Sequence, residues 1–284
     1  MYATITETEL RGTAVLVVST RDGAQATISL RGGQILHWQP AGGRPWLYLS
    51  DQAVMDGHSA IRGGIPVCFP QFANQGDLPK HGLVRTAPWT CIEQRQANDH
   101  LMLTLGTSHS PTTQASWPHS FDLELTFGIG ANRLDVELAV TNTGDHPFAF
   151  TTALHTYLRV DEVELTRLEG LKGRHYLDKL DQDQRKNERH DAIVVESAVD
   201  RIYQNVARPL RLDDGHRSLT IIHEQFPDTV VWNPWIDGAA GLADMPDSDF
   251  RRMLCVEAAV ASEPIELLPD AYWWGRQSLI EAHD

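Results

Sequence analysis

From Phe121 to Ile129 apolar and polar side chains alternate one for one, with Phe121, Leu123, Leu125, Phe127 and Ile129 set against Asp122, Glu124, Thr126 and Gly128. Successive side chains of a strand point to opposite faces, so this period of two predicts one buried and one solvated face. Leu134, Val136, Leu138 and Val140 repeat the pattern against Asp135, Glu137, Ala139 and Thr141, and Gly130-Ala131-Asn132 between them supplies a turn. The two segments therefore predict an antiparallel hairpin. Similar strand-like stretches run over residues 13–19, 25–30, 34–39, 101–107, 148–160, 219–223, 229–232 and 253–260. No long helical period interrupts them. Many short strands joined by Gly, Pro, Asn and Asp turns predict an all-β chain, an antiparallel sandwich or barrel rather than an alternating α/β fold. The most polar stretch, residues 178–191, predicts an exposed loop or short helix. No repeat, low-complexity tract or linker divides the chain, so residues 1–284 are expected to form a single domain.

Composition narrows the class. Hydrophobic residues make up 42% and charged residues 22%, as in ordinary globular proteins. A formal net charge of -14 without a basic run would repel a polyanion, which argues against nucleic acid and anionic membrane surfaces as partners. An anionic ligand would need a local basic pocket. Cys68, Cys91 and Cys255 are odd in number, widely spaced and set in apolar segments, so they read as reduced core thiols. The first residues lack a basic stretch followed by an apolar one, and no later run is apolar for the ~20 residues of a membrane helix, so the expected location is the cytoplasm. The thirteen histidines are scattered and none pairs with another His or Cys at ligand spacing, so no metal is expected. A Ser-His-Asp hydrolase is not signalled either, because no Gly-x-Ser-x-Gly elbow is present.

Three segments carry candidate chemistry. Residues 61–72 and 78–85 are dense in Gly, Pro and cations; glycine pairs admit close backbone approach, and the forks of Arg62 and Arg85 suit phosphate oxygens. The plain alternative is two surface loops with solvated arginines. In residues 148–158 a regular strand puts Phe148, Phe150, Thr152, Leu154 and Leu158 on one face and His155 on the other with Thr151, Ala153 and Tyr157. A histidine facing a wet cavity could move protons near neutral pH; a strand histidine could equally be a hydrogen-bonded structural residue. In residues 253–260, Leu254, Val256, Ala258 and Val260 form a core face and Glu257 points the opposite way. A carboxylate inside an uncharged strand needs a partner or a role, the ordinary partner here being Arg251 or Arg252. Asp200 precedes a strand-like stretch and could simply cap a turn. Trp232-Asn233-Pro234-Trp235 and Trp273-Trp274 offer aromatic faces for sugar stacking or for core packing.

Taken together, Ile61-Arg62-Gly63-Gly64-Ile65-Pro66-Val67-Cys68-Phe69-Pro70, Lys80-His81-Gly82-Leu83-Val84-Arg85, Leu154-His155-Thr156-Tyr157, Val199-Asp200-Arg201-Ile202-Tyr203, Val231-Trp232-Asn233-Pro234 and Cys255-Val256-Glu257 resemble the hexose-6-phosphate mutarotases, also called glucose-6-phosphate 1-epimerases, a branch of the aldose 1-epimerase-like proteins. The blocks occur in the family's order over nearly the whole chain. The resemblance implies a large galactose-mutarotase-like β-supersandwich, His155 as general acid, Glu257 as general base, and Arg62 and Arg85 as phosphate contacts. It places Lys80 and His81 in the substrate pocket and has Asp200 bonding a sugar hydroxyl or orienting Arg62. Lys80 departs from the family, where a neutral residue, often Gln, precedes His-Gly. No metal or organic cofactor is implied, and the expected partner is a phosphorylated hexose bound by a monomer.

The implied reaction removes a proton from the anomeric hydroxyl and delivers one to the ring oxygen, opening the ring to an aldehyde that recloses on its other face. Two other readings keep the same residues. An epimerase of unphosphorylated aldoses would turn the arginines toward sugar hydroxyls, and a non-catalytic sugar-phosphate-binding protein would have no need of His155 paired with Glu257.

Overall fold

The computed structural model describes residues 3–96 and 100–282. The predicted hairpin forms between Phe121–Gly130 and Arg133–Asn142, with Leu125 opposite Leu138 and Phe127 opposite Val136. Its apolar positions are buried and Asp122 and Glu124 are exposed, as the alternation requires. These two strands sit inside a nine-stranded antiparallel sheet that also contains Tyr272–Glu281 and Ser218–Glu224. An eight-stranded sheet holds Val199–Tyr203, Asp228–Asn233, Met253–Leu267 and Phe148–Leu154 side by side, and a four-stranded sheet is built from the first described strands, Thr4–Leu10 to Ile35–Gln39.

One continuous apolar cluster joins the inner faces of the two large sheets: Leu254, Val256, Ala258 and Val260 from one, and Leu125, Leu138 and Leu279 from the other. The buried Gln277 bridges them, donating to the Val256 carbonyl at 3.0 Å and accepting from the Thr156 hydroxyl. The large antiparallel β-sandwich is therefore present, and the strand Met253–Leu267 shows how it makes a site. Its inner face is core. Its outer face, with Cys255, Glu257, Ala259 and Ala261, is also buried, beneath chain segments that include Tyr48, Phe72 and Phe250. A sheet face covered by loops instead of a second sheet leaves room for a cavity.

Several elements differ from the sequence expectation. Residues 148–160 are two strands, Phe148–Leu154 and Tyr157–Arg159, with His155 and Thr156 between them. The ladder breaks there because the His155 amide donates across to Pro66, at 2.9 Å, while the Val256 amide donates to Thr156. Met253–Leu267 extends past Val260 through an irregularity opposite Thr151, and Pro264 falls where no ladder donor is needed. The polar stretch 178–191 contains a 3₁₀ turn, Lys179–Asp181, and a strand, Gln184–Asn187, that forms the edge of the eight-stranded sheet, where charged side chains discourage further pairing. Cys91, expected in the core, is only half-buried, whereas Cys68 and Cys255 are buried; all three thiols are free. Among the described residues no helix is long and apolar enough to cross a membrane.

Candidate active site

Glu257 hangs from the outer face of its strand, opposite Val230, and is 1% exposed. Its Oε1 lies 3.4 Å from Nε2 of His155, which the break after Leu154 aims into the same space. His155 is braced from behind by Tyr157, whose ring stacks on the imidazole at 4.8 Å and 14°. Both groups keep a buried polar atom without a hydrogen-bond partner, Nδ1 of His155 and Oε2 of Glu257. Buried polar atoms are normally paired, so two orphans at one spot mark a place built for a polar ligand. The pair closes the floor of a cavity of about 440 Å³, within the ~300–1,000 Å³ usual for small-molecule sites.

The walls are cationic. Arg62 reaches in from the loop after Ile61, its Nε donating to both Asp244 carboxylate oxygens at 3.1 and 3.2 Å and its Nη1 to the Tyr157 hydroxyl at 2.9 Å. Neither anchor takes up Nη2, and Arg62 lines the cavity. The loop can turn here only because Gly63 and Gly64 adopt φ of +116° and +62°, and a Cβ on Gly64 would stand 2.2 Å from the Ile35 carbonyl oxygen. Arg85 and Lys80 line the cavity, where the Lys80 charge favours the ionised forms of Asp200 and Glu257. Lys179 comes from the 3₁₀ turn and is shared with Asp183 at 2.5 Å.

His81 is held in the left-handed region, at φ +68°, by a reciprocal pair of bonds: its amide donates to the Ala73 carbonyl at 2.9 Å, and the Ala73 amide donates to its Nδ1 at 3.3 Å. An amide can only donate, so Nδ1 is an acceptor and the ring proton sits on Nε2. Burial, with the charges of Arg85, Lys80 and Arg62 added, lowers its pKa to about 3, so the ring is neutral and offers one donor.

Burial also governs the central pair. It pushes the Glu257 carboxyl well above the carboxylate range, and neighbouring Asp200 pushes the same way. It pushes the His155 imidazole well below its ordinary value, helped by His81, Arg62 and Arg85. Both shifts favour the neutral forms, a carboxyl on Glu257 beside a neutral His155 imidazole. The 3.4 Å contact between them works against both shifts, since opposite charges at that distance favour each other. Asp200 lies in the strand Val199–Tyr203, opposite Trp232, rather than before it, and burial raises its carboxyl to about 6 against Lys179 and Lys80.

The Aldose 1-epimerase family profile matches residues 15–279. The chain belongs to the aldose 1-epimerase family. A protein of Cenchrus ciliaris that carries the provisional name glucose-6-phosphate 1-epimerase is 37% identical over 264 residues, covering 89% of this chain and 80% of its own. A solved structure from Salmonella typhimurium, provisionally described as a mutarotase, superposes with a TM-score of 0.91 at 27% identity over 99% of this chain and 94% of its own. A galactose mutarotase-like protein from Clostridium acetobutylicum shares the fold at a TM-score of 0.79 and 14% identity, covering 100% of this chain and 99% of that one. As an aldose 1-epimerase family member the chain is an isomerase, its small-molecule substrate is a sugar, and its sandwich is the galactose mutarotase-like one.

All seven residues singled out from the sequence, Arg62, Lys80, His81, Arg85, His155, Asp200 and Glu257, line this aldose epimerase family cavity. Two of the alternatives left open drop out. Arg62 is oriented by Asp244 and Tyr157 instead of Asp200, and Glu257 makes no pair with Arg251 or Arg252, since Arg251 turns to Glu162 and Glu164. Asp244 and Lys179 are lining residues to which sequence reasoning gave no role. Asp244 stands in a short segment without period, and only the need of a half-buried Arg62 for a counter-ion could have pointed to it. The fold also gathers His155, Cys255 and Glu257, whose donor atoms lie within 4.8 Å of one another, a set no sequence spacing announced.

Proposed function

We propose that this chain interconverts the α and β anomers of a hexose 6-phosphate, with Glu257 as general base, His155 as general acid, and Arg62 and Arg85 as the phosphate grip. The observation that carries the reading is the His155–Glu257 contact at 3.4 Å, with an orphaned polar atom on each partner, on the floor of a cavity whose walls hold several cations. The provisional names of its relatives point the same way.

Ring opening suits such a pair. Glu257 takes the proton of the anomeric hydroxyl, His155 gives one to the ring oxygen, the C1–O5 bond breaks, and the electron pair on O1 becomes the aldehyde carbonyl. Rotation about the C1–C2 bond and reversal of both transfers closes the other anomer. The pair holds one proton before and after, so no cofactor or external proton donor enters. His81 Nε2–H and Asp200 are placed to bond sugar hydroxyls, and Lys80 adds charge beside Glu257. The guanidinium of Arg62, held above its ordinary pKa by Tyr157 and Asp244 in spite of burial, stays charged throughout. Two arginines account for an anionic substrate on a chain of net charge -14.

Exchange spectroscopy by NMR on equilibrated glucose 6-phosphate tests the reading. Anomer exchange should accelerate with the protein, and His155→Asn should remove about 10²- to 10⁴-fold of the acceleration, the usual contribution of a positioned proton transfer. Exchange at the spontaneous rate with the unaltered protein refutes it.

A further inference from the structure

Strand register brings the central pair together. Leu154 faces Ala258 and Tyr157 faces Cys255, so the count between them sets His155 directly opposite Glu257 and Thr156 opposite Val256. Facing residues of an antiparallel pair put their side chains on one face, so His155 and Glu257 share the cavity side while Thr156 and Val256 share the inner side, where both are buried. A facing pair at the bonded positions exchanges two hydrogen bonds. Thr156 and Val256 keep only one: the Val256 amide donates to the Thr156 carbonyl at 3.1 Å, while the Thr156 amide turns back to the Leu154 carbonyl at 2.9 Å. The Val256 carbonyl, next in the chain to Glu257, thereby loses its ladder donor. Gln277, buried on the strand Tyr272–Glu281 of the other large sheet, fills the opening. Its amide donates to the Val256 carbonyl at 3.0 Å, and its carbonyl oxygen accepts from the Thr156 hydroxyl. The second amide hydrogen goes to Nε2 of His223 at 3.0 Å, and His223 Nδ1 meets the Thr229 hydroxyl at 3.1 Å. Only this orientation of the carboxamide satisfies all three of its partners, because the reverse one would set carbonyl against carbonyl at Val256.

We propose that Gln277 is a positioning residue of this isomerase: from the opposite sheet it holds the ladder open at Thr156 and Val256, and so sets the spacing of His155 and Glu257, the chain neighbours of the two groups it bonds. Without its carboxamide the Val256 carbonyl has no partner in a dry core, and the Thr156 amide is free to return to it. That return closes the ladder and turns the peptide that carries His155, so the 3.4 Å approach to Glu257 is no longer held. Gln277 itself lies on the core side of the sheet and is not among the residues that line the cavity, so its removal leaves Arg62, Lys80, His81 and Arg85 in place. The inference rests on the proposed function for its rate measurement and deepens it by naming what keeps acid and base at working distance. A plain staple between two sheets would move stability alone; a positioning residue moves the rate of the chemical step and leaves sugar binding as it was.

Three variants of the full chain separate the two roles. Gln277→Leu removes the carboxamide at similar volume, Thr156→Val replaces the hydroxyl by a methyl of the same shape, and Thr156→Ser keeps the hydroxyl. Anomer exchange of glucose 6-phosphate, followed by NMR against substrate concentration below the melting temperature of each variant, should show kcat lowered roughly 10- to 100-fold in Gln277→Leu at unchanged KM. Thr156→Val should show the same split, carrying the test should Gln277→Leu not fold, and Thr156→Ser should restore the rate. A second readout needs no turnover: in ¹⁵N-histidine spectra the His155 ring signal, identified by its loss in His155→Asn, should shift in Gln277→Leu and Thr156→Val and keep its position in Thr156→Ser. Full kcat in Gln277→Leu or Thr156→Val, with only a lowered melting temperature, overturns the inference and leaves the function standing; so does a Thr156→Ser chain as slow as Thr156→Val. No acceleration of exchange by the unaltered protein overturns the function, and the His155 signal then decides the positioning by itself, an unmoved signal overturning it.

Discussion

Replacing Glu257 by Gln should disable the chemistry while making the protein more stable at alkaline pH, and the size of the gain follows from the proton count of the central pair. In the unfolded chain Glu257 and His155 titrate near their ordinary values, 4.5 and 6.5. Folding raises the first and lowers the second, so the folded pair keeps one proton on Glu257 across neutral pH. Below pH 4.5 the unfolded chain holds both protons to the folded pair's one, and stability rises with pH. Between 4.5 and 6.5 each state holds one proton, and the pair contributes no slope. Above 6.5 the unfolded chain holds none while the folded pair still holds one, so stability falls by about 1.4 kcal/mol per pH unit until the folded pair itself ionises. Glu257→Gln removes this last fall, because the folded His155 and the unfolded His155 are then both neutral. Above pH 6.5 the variant should therefore gain on the unaltered protein by about 1.4 kcal/mol per pH unit for as long as the folded pair keeps its proton. His155→Asn should behave in the opposite sense, with stability falling from pH 4.5 instead of 6.5. Calorimetric or circular-dichroism melts in half-unit steps from pH 4 to 8.5 give all three curves. Parallel curves for the unaltered protein and Glu257→Gln above pH 6.5 would refute the assignment of a protonated, buried Glu257.

Exchange rates should separate the remaining roles. Glu257→Gln should lose about 10²- to 10⁴-fold in anomer exchange at unchanged secondary structure, measured by NMR and circular dichroism. Arg62→Ala or Arg85→Ala should weaken glucose 6-phosphate while sparing plain glucose, and equal loss for both sugars would remove the phosphate from the argument. Gly64→Ala puts a Cβ 2.2 Å from the Ile35 carbonyl oxygen in a left-handed turn, so chemical denaturation should show a loss of roughly 2–4 kcal/mol.

The core was legible because its signal is local and repeated: the alternation at Phe121–Gly130 and Arg133–Asn142 names both the strands and the buried face. The same alternation correctly sent His155 and Glu257 away from the core, since Leu154, Val256 and Ala258 occupy it. It could not show that the two would touch, because strands 148–154 and 253–267 are brought together by a pairing that no local pattern encodes. For the same reason the break after Leu154 went unseen; it depends on the His155 amide finding Pro66, far away in the chain. Proton affinity depends on how dry the floor is, and dryness comes from loops over a sheet face that the strand sequence leaves open. Asp244 belongs to that covering layer and carries no period, so it surfaced only with the fold.

The division of labour between sheet and loops also bears on how such a protein changes over time. Glu257 is fixed by the ladder that holds the sandwich together and His155 by the short gap between two strands paired to the same partner, while Arg62, Lys80, His81 and Arg85 ride on connections outside that ladder. Insertions or exchanges in those connections can retune which sugar is admitted without disturbing the proton-moving pair. A lineage built on this plan can diversify its diet of sugars while its reaction stays the same.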